Sequence, residues 1–82
     1  MMGQNEAIQH RTRWKILRKL LKDKAFLREI AKDLNIPTST AAYHLKRLTQ
    51  TGLLLETRGV YHVFYRLSDK GRELVEGSIG AA

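Results

Sequence analysis

The polar side chains between residues 38 and 50 recur at the spacing of one helix face. At about 100° per residue they lie opposite an apolar line of Ala41, Leu45 and Leu48. The outward set is Ser39, Tyr43, Lys46 and Gln50, flanked by Ala42 and Arg47. Hydroxyls, an amide, an aromatic ring and cations can bind phosphate or the edges of bases, and no acid opposes them. The alternative is an ordinary solvated helix, on which acids would be expected.

The remaining reactive side chains indicate neither metal binding nor catalysis. His10, His44 and His62 fall on different predicted elements without ligand spacing, and His44 is better interpreted as a packed structural histidine. The chain has no cysteine, which excludes thiolate metal sites, disulfides and thiol catalysis. The sequence contains no Gly-rich phosphate loop and nothing that resembles a nucleophile site. We therefore expect no enzyme activity, no cofactor and no metal.

The composition favours a small basic domain with a polyanionic partner. The chain has 82 residues, which suits one domain over residues 1–82 with an ordered core at about 6–77, and 43% of the residues are hydrophobic. Its formal charge is +7 and its pI is about 10.2, although a solubilising surface is the alternative explanation. No apolar run approaches the ~20 residues that span a bilayer, and the polar start lacks a signal-peptide core. A cytoplasmic protein without a membrane partner is expected.

The first helix is predicted from Glu6 to Asp23. Its apolar stripe is Ile16, Leu17, Leu20 and Leu21, with Trp14 on one flank. Arg13 falls near the middle of the stripe, and Ile8 falls off it. Either the helix begins at a Thr12 cap, or it begins earlier and Ile8 and Trp14 face a partner. The opposite face carries cations that are either solvated or in contact with phosphate, namely Arg11, Lys15, Arg18, Lys19 and Lys22.

A second and a third helix with a short turn between them are predicted next. The second helix runs from about Arg28 to Leu34, and Asn35 suits its left-handed C-cap. Its inward stripe is Leu27, Ile30, Ala31 and Leu34. Pro37 suits the first position of the third helix, with Thr38 as the alternative N-cap, and Gly52 ends that helix.

A β-hairpin is predicted after the third helix. Strands are expected at residues 53–57 and 61–67, joined by a turn at residues 58–60 with Arg58 at its tip. The alternation assigns Val63, Tyr65 and Leu67 to the core, and His62, Phe64 and Arg66 to the other side. A further short strand is expected at residues 25–27.

A last helix is predicted from the N-cap Ser68 to Gly77. Leu74 and Val75 are expected to point inward, and Gly71 allows close packing a turn below them. The order of elements is then α-α-α-β-β-α. This is a mainly α fold with a small β-hairpin, a winged helix-turn-helix.

The third helix of such a fold fits the major groove of DNA, which is ~12 Å wide. We therefore predict that residues 38–51 enter the major groove and that the wing, residues 58–62, lies on the backbone or in the minor groove. Lys46 could reach a guanine edge or a phosphate, and Tyr43 could stack on a sugar or touch a thymine methyl. The predicted DNA-binding residues are Thr38, Ser39, Thr40, Ala42, Tyr43, Lys46, Arg47, Gln50, Arg58 and His62.

Two runs of sequence resemble the winged helix-turn-helix regulators of the ArsR and MarR type, namely LREIAKDLNIPTSTAAYHLKRLTQTGLL and GVYHVFYRLSDKGREL. STAAYHLKRL resembles the family's recognition helix, and the likeness extends from about residue 12 to residue 76. The resemblance implies a DNA-binding transcription regulator, commonly a repressor, that acts as a homodimer on inverted repeats. Because cysteine is absent, a thiol sensor site is excluded, and no small-molecule effector is evident. A minimal regulator that responds to its own concentration is expected.

A dimer would place two recognition helices about 34 Å apart, which is one turn of DNA. The residues predicted for the dimer interface are Ile8, Trp14, Val75 and Ile79. Two other functions remain open from the sequence alone. One is a winged-helix module for protein–protein interaction, and the other is a nonspecific chromatin-binding or RNA-binding protein.

Overall fold

The computed structural model describes the backbone of residues 3–80 and the side chains of residues 11–77. Its elements follow the predicted order, including the short strand before the second helix. They are α1 (Gly3–Lys22), β1 (Ala25–Phe26), α2 (Leu27–Leu34), α3 (Thr38–Gln50), β2 (Leu54–Arg58), β3 (Val63–Leu67) and α4 (Asp69–Gly80). The prediction of a mainly α fold with a small β-hairpin is confirmed.

The core lies where the inward faces of the helices meet the sheet. Its buried apolar residues are Ile16, Leu17, Leu20, Ala25, Ile30, Ala31, Ala41, Leu45, Leu48, Leu54, Tyr65, Leu67 and Val75. The inward lines predicted for the first three helices are therefore confirmed, except that Leu21, Leu27 and Leu34 are half-buried at the edge of the core. Each fully buried Leu or Ile side chain contributes about 1.5–3 kcal/mol of transfer free energy.

The helix α1 begins earlier than predicted. It starts at Gly3 instead of Glu6 and continues without a break through Thr12, so of the two alternatives the earlier start is confirmed and the Thr12 cap is wrong. The continuous helix places Arg13 against α3. The side chain of Ile8, which is predicted to face a partner, lies outside the described residues.

The turn between α2 and α3 is set by one left-handed residue. Asn35 has φ 55°, and its N–H donates to the carbonyl of Lys32 at 3.2 Å. The N–H of Ile36 donates to the carbonyl of Ala31 at 3.0 Å. Asparagine tolerates this conformation better than most residues, so the predicted C-cap is confirmed.

The C-terminal end of α3 is as predicted, whereas the residues at its N-terminal end take other positions than predicted. Pro37 is the N-cap, because its carbonyl accepts the first helical bond from the N–H of Ala41 at 3.0 Å. Thr38 is therefore the first helical residue, which agrees with the predicted helix over residues 38–51, whereas the roles predicted for Pro37 and Thr38 are each wrong by one position. At the other end Gly52 has φ +82° and donates to the carbonyl of Thr49 at 3.0 Å, as a glycine that closes a helix does.

The three strands form one antiparallel sheet in the order β1-β3-β2. Leu54 pairs with Leu67, and Arg58 pairs with Val63. The strand β2 is shifted by one residue from its predicted bounds and begins at residue 54. The strand β3 is shorter than predicted on the turn side, because it begins at residue 63. Tyr61 consequently lies in the turn, and Arg58 ends β2 instead of standing at the tip.

The start of α4 is fixed against the end of α3. The N–H of Gly71 donates to Ser68 Oγ at 3.0 Å, which confirms the predicted N-cap. The same hydroxyl donates to the carbonyl of Gly52 at 2.5 Å. A Cβ at Gly71 would overlap the backbone carbonyl of Leu53, so the predicted close packing is also confirmed.

Two predictions for α4 are wrong. The helix does not end at Gly77 but continues to Gly80. Val75 is fully buried as predicted, whereas Leu74 is 44% exposed instead of pointing inward. Because adjacent helical residues lie about 100° apart, only one of the two can occupy the centre of the core.

Candidate nucleic-acid interface

The helix α3 presents a polar face over a buried line. Ala41 and Leu45 are fully buried, so packing fixes the rotation of the helix about its axis. The residues predicted to contact DNA that are exposed here are Thr38, Ser39, Tyr43, Lys46, Arg47 and Gln50, whereas Thr40 and Ala42 are half-buried. No acid occurs between residues 38 and 50, so the outer face carries only positive charge.

The first turn of α3 combines hydroxyls with unpaired backbone donors. The first N–H groups of an α-helix have no partner within the helix, and the N-cap Pro37 offers no side-chain acceptor. Thr38, Ser39 and Thr40 bring hydroxyls into the same turn. Donors at the positive end of a helix dipole suit an anion such as phosphate.

A buried histidine joins α3 to α1. His44 is 3% exposed, which confirms the prediction of a packed structural histidine. Arg13 Nε donates to His44 Nδ1 at 3.3 Å, so the neutral ring carries its proton on Nε2. Burial lowers the pKa of His44, and the charge of Arg13 lowers it further. The Tyr43 ring meets His44 edge to face at a centroid distance of 5.4 Å, which orients Tyr43 on the outer face.

The cation of the wing is paired. Arg58 Nε lies 3.2 Å from Glu56 Oε1, and 77% of the Arg58 side chain is exposed. Tyr65 donates its hydroxyl to Glu56 Oε2 at 3.4 Å. Burial raises the pKa of Tyr65, and the nearby Glu56 carboxylate raises it further. Arg58 therefore stands at the foot of the turn with its charge partly balanced.

An aromatic cluster, which we define as Phe26, His62 and Phe64, joins the wing to α2. The His62 ring stacks on Phe26 with centroids 4.4 Å apart and an interplanar angle of 28°. Phe26 meets Phe64 edge to face at 5.8 Å, and the two residues are register partners of β1 and β3. His62 is exposed but is held by this contact. The sequence predicts His62 as a DNA contact but assigns no role to Phe26. The only sequence signal that involves Phe26 is the short strand expected at residues 25–27.

The tip of the wing carries two apolar side chains that the prediction did not assign to the site. Val60 is 88% exposed and Tyr61 is 90% exposed. The N–H of Gly59 donates to the carbonyl of His62 at 2.7 Å, which closes the turn around them. The alternation of apolar residues from position 61 onward had suggested the start of a strand instead.

The basic face of α1 is mixed with acids from α2. Lys19 pairs with Asp33 of α2. The other cations of this face are exposed, namely Arg11, Lys15, Arg18 and Lys22. The helix α2 carries Glu29 in addition to Asp33. Of the pair α2 and α3, only α3 therefore has a surface without acids.

A cleft of about 240 Å³ lies between α1, the end of α3 and α4. Its apolar walls are Trp14, Leu17, Leu48, Leu53 and Leu74, and its polar lining is Arg13, Arg47 and Thr51. Val75, which is predicted as a dimer-interface residue, is fully buried in the core and cannot serve as one; this prediction is wrong. Leu74 is the exposed neighbour, and the predicted interface residues Ile8 and Ile79 have side chains outside the described residues.

The described part of the chain contains neither a metal site nor a membrane-spanning helix. No group of three His, Asp or Glu side chains there is arranged to hold a metal ion, and His10 lies outside the described side chains. No described helix combines the length and the apolar character that crossing a membrane requires.

Comparison with known sequences gives a family and one curated relative. The model of the bacterial regulatory protein arsR family matches residues 10–55. An uncharacterized HTH-type transcriptional regulator of Methanocaldococcus jannaschii is 34% identical over 62 residues, which are 76% of this chain and 16% of that protein. The chain thus spans about a sixth of the length of the curated relative that it matches.

Comparison with solved structures gives the same fold. Reduced HlyU from Vibrio cholerae is 29% identical, with a TM-score of 0.74 over 79% of this chain and 70% of that chain. The homodimeric winged helix-turn-helix DNA-binding domain of a possible ArsR-family regulator from Mycobacterium bovis is 21% identical, with a TM-score of 0.77 over 94% of this chain and 71% of that one. These neighbours confirm the predicted winged helix-turn-helix fold.

Proposed function

We propose that the chain, which belongs to the ArsR family of bacterial regulatory proteins, is a transcription regulator and not an enzyme, and that it binds specific sites on double-stranded DNA. In this proposal α3 lies in the major groove, and the wing at residues 58–62 lies on the adjacent backbone or minor groove. The bound protein represses transcription by covering its operator. The DNA-binding unit is the domain formed by this chain.

The acid-free outer face of α3 is the observation that carries this proposal. Its inner line is fully buried, so the helix cannot rotate, and Lys46, Arg47 and Gln50 are held outward. With a formal charge of +7, the domain attracts a polyanion from a distance. A fixed helix with hydroxyls at its start and cations along its outer side matches a phosphate-lined groove.

The residues of α3 divide by their reach. Lys46 is long, exposed and central, so it contacts a guanine edge or a phosphate. Tyr43, braced by His44, contacts a sugar or a thymine methyl. The hydroxyls and N–H groups of the first turn hold a phosphate. Arg47 and Gln50 lie further along the helix and contact the backbone.

The test is selection of bound duplexes from a random DNA pool, followed by titration of the recovered duplex with variants. Lys46→Ala is expected to weaken binding by about 1–3 kcal/mol if it reads a base, and Tyr43→Ala to weaken it as well. Arg72→Ala is the control, because it removes one positive charge from α4, where Arg72 pairs with Glu76 at 3.9 Å. This control is expected to bind nearly as tightly as the wild type.

Three outcomes separate the proposal from its alternatives. A recovered motif that random duplex cannot displace supports specific binding. Binding that falls steeply with salt but is displaced by random duplex indicates a nonspecific chromatin or RNA binder. No salt-dependent binding of any nucleic acid indicates a protein–protein module. If Lys46→Ala and Tyr43→Ala both bind as the wild type does, α3 is not the reading helix.

We propose further that the protein acts as a homodimer through the cleft beside Trp14. Leu74 is 44% exposed at this cleft, beside the partly buried Trp14 and Leu53. A large exposed apolar side chain next to partly exposed ones commonly marks an interface. The fold neighbour from Mycobacterium bovis is homodimeric, which is consistent with this arrangement.

Sedimentation at high micromolar concentration tests the dimer. The expected result is a dimer for the wild type and a monomer for Leu74→Lys, which places a further positive charge at a cleft that Arg13 and Arg47 also line. Leu55→Lys is the matched control, because Leu55 is 41% exposed on β2 and lies outside the lining of the cleft. A monomeric wild type, or dissociation by both variants alike, contradicts the proposed interface.

A further inference from the structure

The tip of the wing is apolar, although the domain is strongly basic. Val60 and Tyr61 are neighbours in the turn and are 88% and 90% exposed. Two large apolar side chains at one exposed tip leave unfavourable contact with water in the free protein. They lower the free energy of a complex if a partner removes them from that water.

The tip is held firmly at its base. The bond of 2.7 Å from the Gly59 N–H to the His62 carbonyl closes the turn. The His62 ring then stacks on Phe26, which is the residue directly before α2. A second bond fixes Phe26, since its N–H donates to Glu29 Oε1 in the first turn of α2 at 3.0 Å. The position of the tip is therefore tied to the helix pair.

We propose that Val60 and Tyr61 form an apolar contact with the minor groove of duplex DNA, and that the stack of His62 on Phe26 positions this contact relative to α3. The inference rests on the proposed function and deepens it, because it replaces a purely ionic wing with one that reads groove shape. Apolar side chains are known to lie against the sugar walls of the minor groove or to wedge between base steps. Tyr61 is a positioned contact residue, and His62 and Phe26 are positioning residues.

Charge around the tip favours DNA over a protein partner. Arg58 and Arg66 are exposed on the two strands of the wing, and Lys24 Nζ lies 5.4 Å from the centre of the Phe64 ring. The only acid between residues 54 and 67 is Glu56, and it is already paired with Arg58. An apolar point with cations at its base matches a groove whose floor is uncharged and whose borders are phosphates.

An apolar contact at the tip differs from an ionic contact in its response to salt. Tyr61 carries no charge, so its loss must lower affinity without changing the dependence of affinity on salt. Loss of a phosphate contact instead reduces the log-log salt slope by about 0.9. The two kinds of wing contact are therefore separable in one titration series.

The experiment uses the full chain and the duplex recovered by selection, with binding measured by fluorescence anisotropy at several salt concentrations. We expect Tyr61→Ala to weaken binding about tenfold at an unchanged salt slope. His62→Ala should weaken binding by a smaller factor. The triple variant of Val60, Tyr61 and His62 should bind like the double variant of Val60 and Tyr61, because a positioning residue has no effect once both of its contacts are gone. Leu55→Ala, another exposed apolar residue of the hairpin, should bind like the wild type.

A base analogue locates the contact in the groove. Diaminopurine in place of adenine adds an amino group to the minor groove and leaves the major-groove edge unchanged. Introduced beside the half-site read by α3, it should weaken the wild type and leave Tyr61→Ala nearly unaffected. Thermal unfolding of each variant confirms that these exposed substitutions leave the fold intact.

Each remaining outcome overturns a defined part of the inference. If Tyr61→Ala binds as the wild type does while Lys46→Ala binds more weakly, the proposed apolar contact is wrong and the proposed function still stands. Equal sensitivity of the wild type and Tyr61→Ala to diaminopurine removes the placement in the minor groove. A further loss in the triple variant, beyond that of the double variant of Val60 and Tyr61, removes the positioning role of His62. If the wild type binds no duplex, the proposed function fails, and this inference fails with it.

Discussion

The helix α3 exposes Lys46, Arg47 and a turn of hydroxyls above a fully buried apolar line, whereas the wing exposes Val60 and Tyr61. The orientation of α3 is set by the core of the molecule. The tip of the wing lies beyond the last ladder pair, Arg58 with Val63, and its position is set by a small aromatic cluster near the surface and by one short turn. One region offers charge and hydrogen bonds, and the other offers apolar contact.

The difference shows two ways in which a small domain can fix a contact surface. Burial of a helix face determines the outward residues at the same time, because the period of the helix links the two. A hairpin that projects from the sheet has no such link, so its tip must be fixed by local contacts. We therefore expect substitutions in the core to affect both regions and substitutions in the aromatic cluster to affect the wing alone.

The largest effect should come from Gly71→Ala, which breaks the junction between the two regions. Gly71 packs on the backbone of Leu53, and Leu53 leads from α3 into β2. A methyl group there must displace the backbone, which should lower the free energy of unfolding by about 1–3 kcal/mol or more. Urea unfolding followed by circular dichroism measures the loss.

The control is Gly77→Ala in the same helix. Nothing lies within 4 Å of a Cβ at Gly77, so alanine meets open space there. Since alanine is the better helix former, this variant should gain about 0.5–1 kcal/mol. Equal losses from both substitutions would show that the contact with Leu53 is not what requires Gly71.

A smaller loss is expected from Gly52→Ala at the end of α3. The φ of +82° disfavours any residue with a Cβ by about 1–2 kcal/mol, although there is space for one. Asn35→Gly is the matched variant at the end of α2, where φ is 55°. Glycine relieves strain there but adds freedom to the unfolded chain, so a change within about 0.5 kcal/mol is expected. Unfolding curves that rank the two variants in the reverse order would contradict this account.

The sequence predicted the helix pair better than the wing for the same physical reason. A line such as Ala41, Leu45 and Leu48 repeats with the helix, so it identifies the element and its buried face together. In the hairpin, the alternation that includes Tyr65 and Leu67 extends to Tyr61, although the strand begins only at residue 63. Periodicity cannot locate that boundary, because the hydrogen bond that closes the turn joins backbone atoms and does not change the pattern of apolar residues.

Contacts between segments that are distant in the chain could also not be predicted from the sequence. The predictions treated Leu74 and Val75 alike, and only the packing of α4 shows that Val75 takes the core position. Arg13 seemed misplaced within an apolar stripe until its contact with His44 was known. Phe26 had no predicted role, because its partner His62 lies 36 positions further along the chain.

His44 in the helix pair and His62 in the wing provide a pH test of the comparison. His44 lies in the helix pair, and its lowered pKa means that the unfolded chain binds a proton more readily than the folded chain does. Stability should therefore be unaffected by this group above about pH 6.5, the ordinary pKa of histidine, and should decline as the pH falls below it. Urea unfolding at a series of pH values between 5 and 8 measures the decline.

Histidine variants identify the group responsible. His44→Gln should flatten the decline between pH 6.5 and 5, because the titrating ring is gone. His62→Gln removes a histidine from the wing instead and is the control. A decline that persists in full in His44→Gln would assign it to another group and would contradict the proposed effect of burial beside Arg13.

The smallest expected effect concerns the ion pair of the wing. Glu56→Gln should change the free energy of unfolding by no more than about 0.5 kcal/mol, because exposed ion pairs contribute little. It should nevertheless strengthen DNA binding slightly, since Arg58 is then released for phosphate. Arg58→Ala should lower affinity evenly across sequences and reduce the log-log salt slope by up to about 0.9, unlike Tyr61→Ala. Glu76→Gln, which removes the same charge from α4, controls for net charge. If Glu56→Gln and Glu76→Gln strengthen binding equally, the gain comes from total charge, and Arg58 takes no specific part in the contact.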